Sequence, residues 1–313
     1  MSSAPGRPER EEVSLDLATA TRLVRRLIAP GLTVESIKAL NGGMVNRVVE
    51  LRTDGEPGAL VAKITSVPHD AGFAVEADGL RYCREHTRFP VPRVLSMFSD
   101  LEGFPGTGIL MDRVPGPNLQ SARISPAARP MLQQQLAHHV AHLHSHRRDT
   151  YGSVATDHHH DRWLDRFGPT MTGQFQRVRD QISTQGRRVI EYLLTHLEEW
   201  LPETHDPRLV HGDLWATNIL VDDRHPDRPD ILAFVDGDFD FADPEYELAY
   251  LRLFHTVDDT FFQTYFQHHP RRSGFDRRCR VYWLNTMMLH LTRFGTKYLP
   301  TVEQLAEQVR RMI

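Results

Sequence analysis

Asp213 and Asn218 stand with four residues between them in the run Leu209-Val210-His211-Gly212-Asp213-Leu214-Trp215-Ala216-Thr217-Asn218-Ile219, and Asp236 follows after a second apolar run. A carboxylate that can take a hydroxyl proton, an amide oxygen and a second carboxylate are the groups needed to move a phosphoryl group to an alcohol. The reacting phosphate carries its charge on oxygens, so hard oxygen ligands and a proton acceptor suffice and no protein nucleophile is required. His-Gly-Asp alone is equally a tight turn, because Gly adopts positive φ and Asp bonds its own backbone. The fixed interval to Asn218 and the later Asp236 separate the two readings.

Such groups must be held rigidly, and the flanking residues predict how. Leu209 and Val210, residues 219–221 and residues 231–235 are apolar enough to be buried strands that pin the loop at both ends. Upstream, residues 33–40 and 45–52 alternate as two strands joined by Asn41-Gly42-Gly43-Met44. Gly42 and Gly43 would let backbone amides approach phosphates, or simply close a hairpin. Lys63 interrupts the apolar strand of residues 59–64, an unusual place for an ammonium. Glu76 opens a helical stretch and is its natural partner; Glu85 competes on the same helix, and a solvated helix face would account for either. A further strand, residues 108–114, stops at Pro115-Gly116.

His-Gly-Asp-Leu-Trp-Ala-Thr-Asn-Ile-Leu at residues 211–220 resembles the catalytic loop of the fructosamine kinases, a branch of the aminoglycoside phosphotransferase and choline kinase superfamily. Residues 60–64 are similar to the nucleotide-binding lysine strand of kinases. Phe261-Phe262, Tyr282-Trp283-Leu284-Asn285, His290 and Phe294-Gly295-Thr296-Lys297-Tyr298 follow the family's order, so the match spans most of residues 30 to 300.

The resemblance implies an α+β, protein-kinase-like fold of two lobes, a β-rich N-terminal lobe and a mostly helical C-terminal lobe. The expected division is a disordered N-terminus (1–12), a nucleotide lobe (13–114) and a catalytic and substrate lobe (115–313). It also implies ATP and Mg2+ as cofactors. Asp213 would be the proton acceptor, and Asn218 and Asp236 the magnesium ligands. Lys63, paired with Glu76, would fix the non-transferred phosphates, while Met111 and Val114 would border the adenine. Asp238 and Trp215 are candidates for the acceptor or a second metal, and His211 is expected to brace the loop.

This chain departs from the family where Gly237-Asp238-Phe239-Asp240 follow the metal Asp with more acid than is usual, and where Met44 stands at a position some members fill with Cys. An acidic wall would suit an amine-bearing acceptor such as a ketoamine. The alternatives are an aminoglycoside or other antibiotic phosphotransferase and a catalytically weak nucleotide-binding regulator.

At 313 residues and net charge -4, with no basic stripe interleaved with aromatics, the chain gives no reason to expect nucleic acid as a partner. No apolar run approaches the ~20 residues of a membrane helix. The first 12 residues carry no signal core, and two cysteines do not make a disulfide framework, so a cytoplasmic setting is expected. Leu132, Leu136, Val140 and Leu143, and likewise Val189, Leu193 and Leu197, read as core stripes. Asp243 before Pro244 reads as a helix cap, with Glu245 and Glu247 as first-turn charges. His158-His159-His160 reads as a solvated loop, and Arg271-Arg272 with Arg277-Arg278 as a basic face.

Overall fold

The structure is a computed structural model that describes residues 15–40, 47–101 and 104–313. The chain divides into two compact units: one runs to Glu85 and resumes over Pro90–Pro115, the other comprises His86–Phe89 and Gly116–Ile313.

The first unit is built on an antiparallel sheet of five strands, β1 (Val34–Ala39), β2 (Arg47–Thr53), β3 (Ala59–Thr65), β4 (Val94–Leu101) and β5 (Phe104–Asp112), in the order β1-β2-β3-β5-β4. Helix α1 (Leu17–Leu27) starts where Asp16 accepts the Thr19 N–H at 2.6 Å. Its buried residues Thr19, Ala20, Leu23 and Val24 recur at helical spacing and form one stripe. That stripe packs with Val49, Leu51, Leu60, Ala62, Ile64 and Leu110, whose side chains leave the strands at every second residue. Each fully buried leucine in this layer contributes about 2 kcal/mol. The same alternation turns Lys63 to the opposite face, where helix α2 (Ala71–His86) carries Glu76. The helix begins five residues before Glu76. At Gly108 a Cβ would lie 2.4 Å from Phe98 Cζ, so the neighbouring strand's ring occupies the space a side chain would need.

The second unit is mostly helical, with α3 (Arg129–Leu143), α4 (Trp163–Val178), α5 (Thr184–Thr195), α6 (Leu197–Trp200), α7 (Pro244–Leu253), α8 (Asp259–His268), α9 (Phe275–Phe294) and α10 (Leu299–Arg310). Helix α9 is its axis: eleven of its residues are buried, including Tyr282, Leu284, Met287 and Met288, and α4, α7 and α10 pack around it. Leu132, Leu136, Val140 and Leu143 form the buried face of α3. The later stripe is broken, because Val189 and Leu193 end their run in α5 while Leu197 opens α6. At His196 the backbone N–H bonds the Tyr192 and Leu193 carbonyls, and the helix restarts. Short strands carry the loops of interest: β6 (Gly152–Ser153), β10 (Asp240–Ala242) and β7 (Arg208–Val210) form one sheet, β8 (Ile219–Asp222) and β9 (Asp230–Phe234) another.

No helix among the described residues is long and apolar enough to cross a membrane.

Candidate active site

The loop from His211 to Asn218 leaves β7, closes in a short 3-10 turn over Ala216–Asn218 and enters β8. Both ends are tied to the segment that follows β9: Val235 N–H donates to the Asn218 carbonyl at 2.9 Å, and Asp238 N–H to the His211 carbonyl at 2.8 Å. Gly212 has φ +86, and a Cβ there would meet the Asp238 carbonyl oxygen at 2.7 Å, so the turn needs glycine for both conformation and room. His211 is fully buried, its ring edge-on to Phe239 and Phe89, and burial holds its imidazole below the usual histidine range. Its Nδ1 accepts the Asp213 N–H at 3.3 Å. A neutral imidazole doing this braces the loop.

The backbone of the loop is gripped by a residue that sequence reasoning assigned to the helix dipole. Glu247 Oε1 accepts both the His211 and the Gly212 N–H, at 2.8 and 2.9 Å. Its Oε2 lies 2.9 Å from His144 Nε2, and His144 Nδ1 lies 2.7 Å from the Tyr265 hydroxyl. With His144 protonated on Nε2, every contact in this chain pairs a donor with an acceptor. Glu247 is 2% exposed and His144 0%, so water cannot substitute for any of these bonds. The sequence held one hint, an acid immediately before the apolar pair Leu248-Ala249. Asp243 does cap α7 through the Glu245 N–H, and Pro244 fills the first helical position.

Asp213 is held on both oxygens. Asn218 Nδ2 donates to its carbonyl at 2.8 Å and to Oδ2 at 3.2 Å, while the Tyr250 hydroxyl of α7 donates to Oδ1. Burial pushes this carboxyl up to about 6; the Tyr250 and Asn218 bonds oppose the rise, and the charges of Asp236 and Asp238 add to it. Tyr250 escaped the sequence reading because one tyrosine on an amphipathic helix carries no signal of what it faces. Asp236 follows β9 in the left-handed region at φ 60, an uncommon conformation for a non-glycine residue. The strand therefore does not continue through it, and strand alternation does not set Asp238 beside Asp236; Asp238 is exposed, on the segment that leads to β10. Trp215 is half-buried and tilts against Phe254, with 6.0 Å between ring centroids.

In the first unit Lys63 Nζ and Glu76 Oε2 are 2.5 Å apart and both side chains are about nine-tenths buried. Glu85 is exposed on the same helix, which decides between the two glutamates. The Phe73 ring lies 5.9 Å from the ammonium. Met111 registers with Val61 on one side and Val94 on the other, inside the sheet, whereas Val114 lies past the end of β5. Gly42 and Gly43 lie outside the described residues.

The expected acidic wall is mostly neutralised from within. Asp240 pairs with Arg166 at 2.7 Å, and burial raises its carboxyl against the pull of that guanidinium. Asp243 and Glu245 pair with Arg272, and Glu245 again with Arg278. The predicted basic face is largely taken up by internal pairs: Arg278 is 6% exposed and Arg272 is turned onto the base of α7, while Arg271 stays exposed beside Asp276. His159 bonds Arg148 and His160 pairs with Tyr151 in the backbone. Among the described residues no three His, Cys, Asp or Glu side chains come together as a metal-holding group.

Residues 17–312 match the family model described as fructosamine kinase. A probable ketoamine kinase of Enterococcus faecium is 28% identical over 273 residues, covering 85% of this chain and 92% of that protein. A fructosamine-3-kinase-like protein of Thermobifida fusca shares the fold with TM-score 0.75 at 20% identity, over 95% of this chain and all (100%) of that one. A thermostable mutant of aminoglycoside phosphotransferase APH(4)-Ia, solved with AMP-PNP and hygromycin B, superposes with TM-score 0.67 at 19% identity, over 94% of this chain and 98% of that one.

Proposed function

Because the chain belongs to the fructosamine kinase family, and is therefore a phosphotransferase of protein-kinase-like fold, we propose that it moves the γ-phosphoryl group of ATP to a hydroxyl of a ketoamine, with Asp213 as the proton acceptor. The observation that carries the role of Asp213 is its setting. It is a mostly buried carboxylate at the head of a loop whose backbone is fixed by Glu247 and whose side chain is oriented by Asn218. A base must be aimed before it is useful, and these bonds aim it. A carboxyl raised to about 6 is also a stronger base than an ordinary aspartate while still ionised at neutral pH.

ATP as donor is supported by the AMP-PNP held by the aminoglycoside phosphotransferase of the same fold. The first unit would serve as the nucleotide lobe, Lys63 directing its ammonium at the non-transferred phosphates with Glu76 keeping it extended. The segment around Met111 and Val114 would border the adenine.

Magnesium fits the oxygen donors present. Asn218 Oδ1 accepts a long bond from Thr217 Oγ1 at 3.3 Å and keeps a lone pair, and Asp236 follows a strand tied to Asn218 through Val235. When bound, the ion would neutralise charge on the phosphate oxygens. Asn218 then serves two ends at once, its amide nitrogen on Asp213 and its oxygen toward the metal. Trp215 and Asp238 would meet the acceptor, the half-buried indole offering a flat apolar surface to a sugar ring and the exposed carboxylate pairing with an amine.

The test is ATP consumption with mass detection of product across fructosyl-amines and a panel of aminoglycosides, with Asp213→Asn as the blank. A phosphorylated fructosyl-amine that disappears in the variant is the expected result. Phosphorylation confined to the antibiotics overturns the acceptor assignment, and an active Asp213→Asn enzyme overturns the role of Asp213.

A further inference from the structure

The hydroxyl of Tyr250 donates to Asp213 Oδ1, the contact an acceptor alcohol must make with the same carboxylate before it can lose its proton. The second oxygen is already engaged by Asn218 Nδ2 at 3.2 Å. Tyr250 is well anchored. It lies on α7 three residues after Glu247, on the same side of the helix, so one face of α7 holds both the loop's backbone and its carboxylate. Its ring also packs against Phe254 with centroids 4.7 Å apart.

We propose that the Tyr250 hydroxyl competes with incoming hydroxyls for Asp213 Oδ1, so that an acceptor with further contacts to the protein displaces it and water does not. The inference rests on Asp213 being the proton acceptor. A phenol tethered beside the carboxylate has a high local concentration and loses little entropy in bonding to it. Water can hydrogen-bond but brings no ring or carbon framework to contact the protein, so it has little to offset the loss of that bond. A sugar acceptor brings a whole ring. Trp215 tilts against Phe254, and Phe254 against His290 at 5.2 Å, which makes an aromatic shelf next to Tyr250. Binding energy gained on that shelf is available to move the phenol aside, the use of remote binding to favour one substrate over a smaller competitor.

The reaction held back is hydrolysis of the nucleotide. A water oxygen would bond to the γ-phosphorus, the bond from that phosphorus to the β–γ bridging oxygen would break, ADP would leave, and the water proton would pass to Asp213. Tyr250 thereby sets the choice between acceptor and water at a shared base.

The experiment measures phosphate release from Mg-ATP without acceptor, in the full chain, for wild type, Tyr250→Phe, Tyr250→Leu and the double variant Asp213→Asn/Tyr250→Phe. Both single variants should hydrolyse ATP roughly tenfold faster than wild type, the factor expected for one hydrogen bond to a charged group. The double variant should lose the gain. A merely structural tyrosine would lower activity when removed and could not raise it, so hydrolysis at or below the wild-type rate in folded Tyr250→Phe and Tyr250→Leu overturns the proposal. A gain that survives Asp213→Asn overturns Asp213 as proton acceptor together with the proposal. No gain, beside a wild-type enzyme whose acceptor phosphorylation is abolished by Asp213→Asn, overturns the proposal alone.

Discussion

Replacing Glu247 by alanine removes a buried carboxylate that accepts three hydrogen bonds, from the N–H groups of His211 and Gly212 and from His144 Nε2. The His211 and His144 donors gain no water in exchange, because Glu247, His211 and His144 are all but fully buried, while Gly212 is half-buried. An orphaned buried donor costs about 1–3 kcal/mol, so three that share one acceptor cost roughly 3–6 kcal/mol, less than a strict sum because the loop can relax. Against a total stability on the order of 10 kcal/mol this is a large fraction. Glu247→Gln should be much milder. Its amide oxygen can still take the two backbone N–H groups, its NH2 can donate to His144 Nε2, and His144 can move its proton to Nδ1 and donate to Tyr265. We expect a loss of about 1–2 kcal/mol for Gln. Urea unfolding of the two variants measures both numbers. Steady-state rates add a second readout: loosening the loop misaims Asp213, so Glu247→Ala should lower kcat with little change in KM for ATP, while Glu247→Gln stays near wild type. If Glu247→Ala unfolds within about 1 kcal/mol of wild type and keeps its kcat, the bracket contributes nothing and the account of the loop is wrong.

Lys63→Met leaves Glu76 buried without its ammonium, which should cost about 3–5 kcal/mol in denaturant unfolding and weaken ATP binding measured by calorimetry; unchanged affinity would remove Lys63 from the nucleotide site. Gly108→Ala drives a methyl to 2.4 Å from Phe98 Cζ and should lower stability by about 1–3 kcal/mol, read as a fall in Tm, whereas an unchanged Tm would mean that Phe98 yields freely. Burial first, and then Arg293 and Lys297, depress the His290 imidazole from 6.5 to about 4. The unfolded chain therefore takes up this proton first, so stability present above pH 6.5 is lost as pH falls toward 4, and His290→Phe should flatten that slope; parallel pH profiles for the two proteins would refute it.

The loop from His211 to Asn218 was legible as a unit because its signal is local. Asp213, Asn218 and Asp236 are spaced as the proposed chemistry would use them, beside apolar runs that became β7, β8 and β9. The strand carrying Lys63 was legible for the same reason, since an ammonium in an apolar run must have a partner, and period-2 alternation determines which face it leaves from. Tertiary structure alone decided what the acidic and basic residues around α7 do. Whether Glu245 meets solvent or Arg278, whether Glu247 serves the helix dipole or the loop, and whether Tyr250 is core or touches Asp213 depend on elements tens of residues away. An isolated Glu looks alike in each case, because charge and size are properties of the residue while partnership is a property of the packing. The same holds for Asp236: strand alternation carried through it would have aligned Asp238, but one positive φ, between the ties of Val235 and Asp238 to the His211–Asn218 loop, turned the chain and left Asp238 exposed.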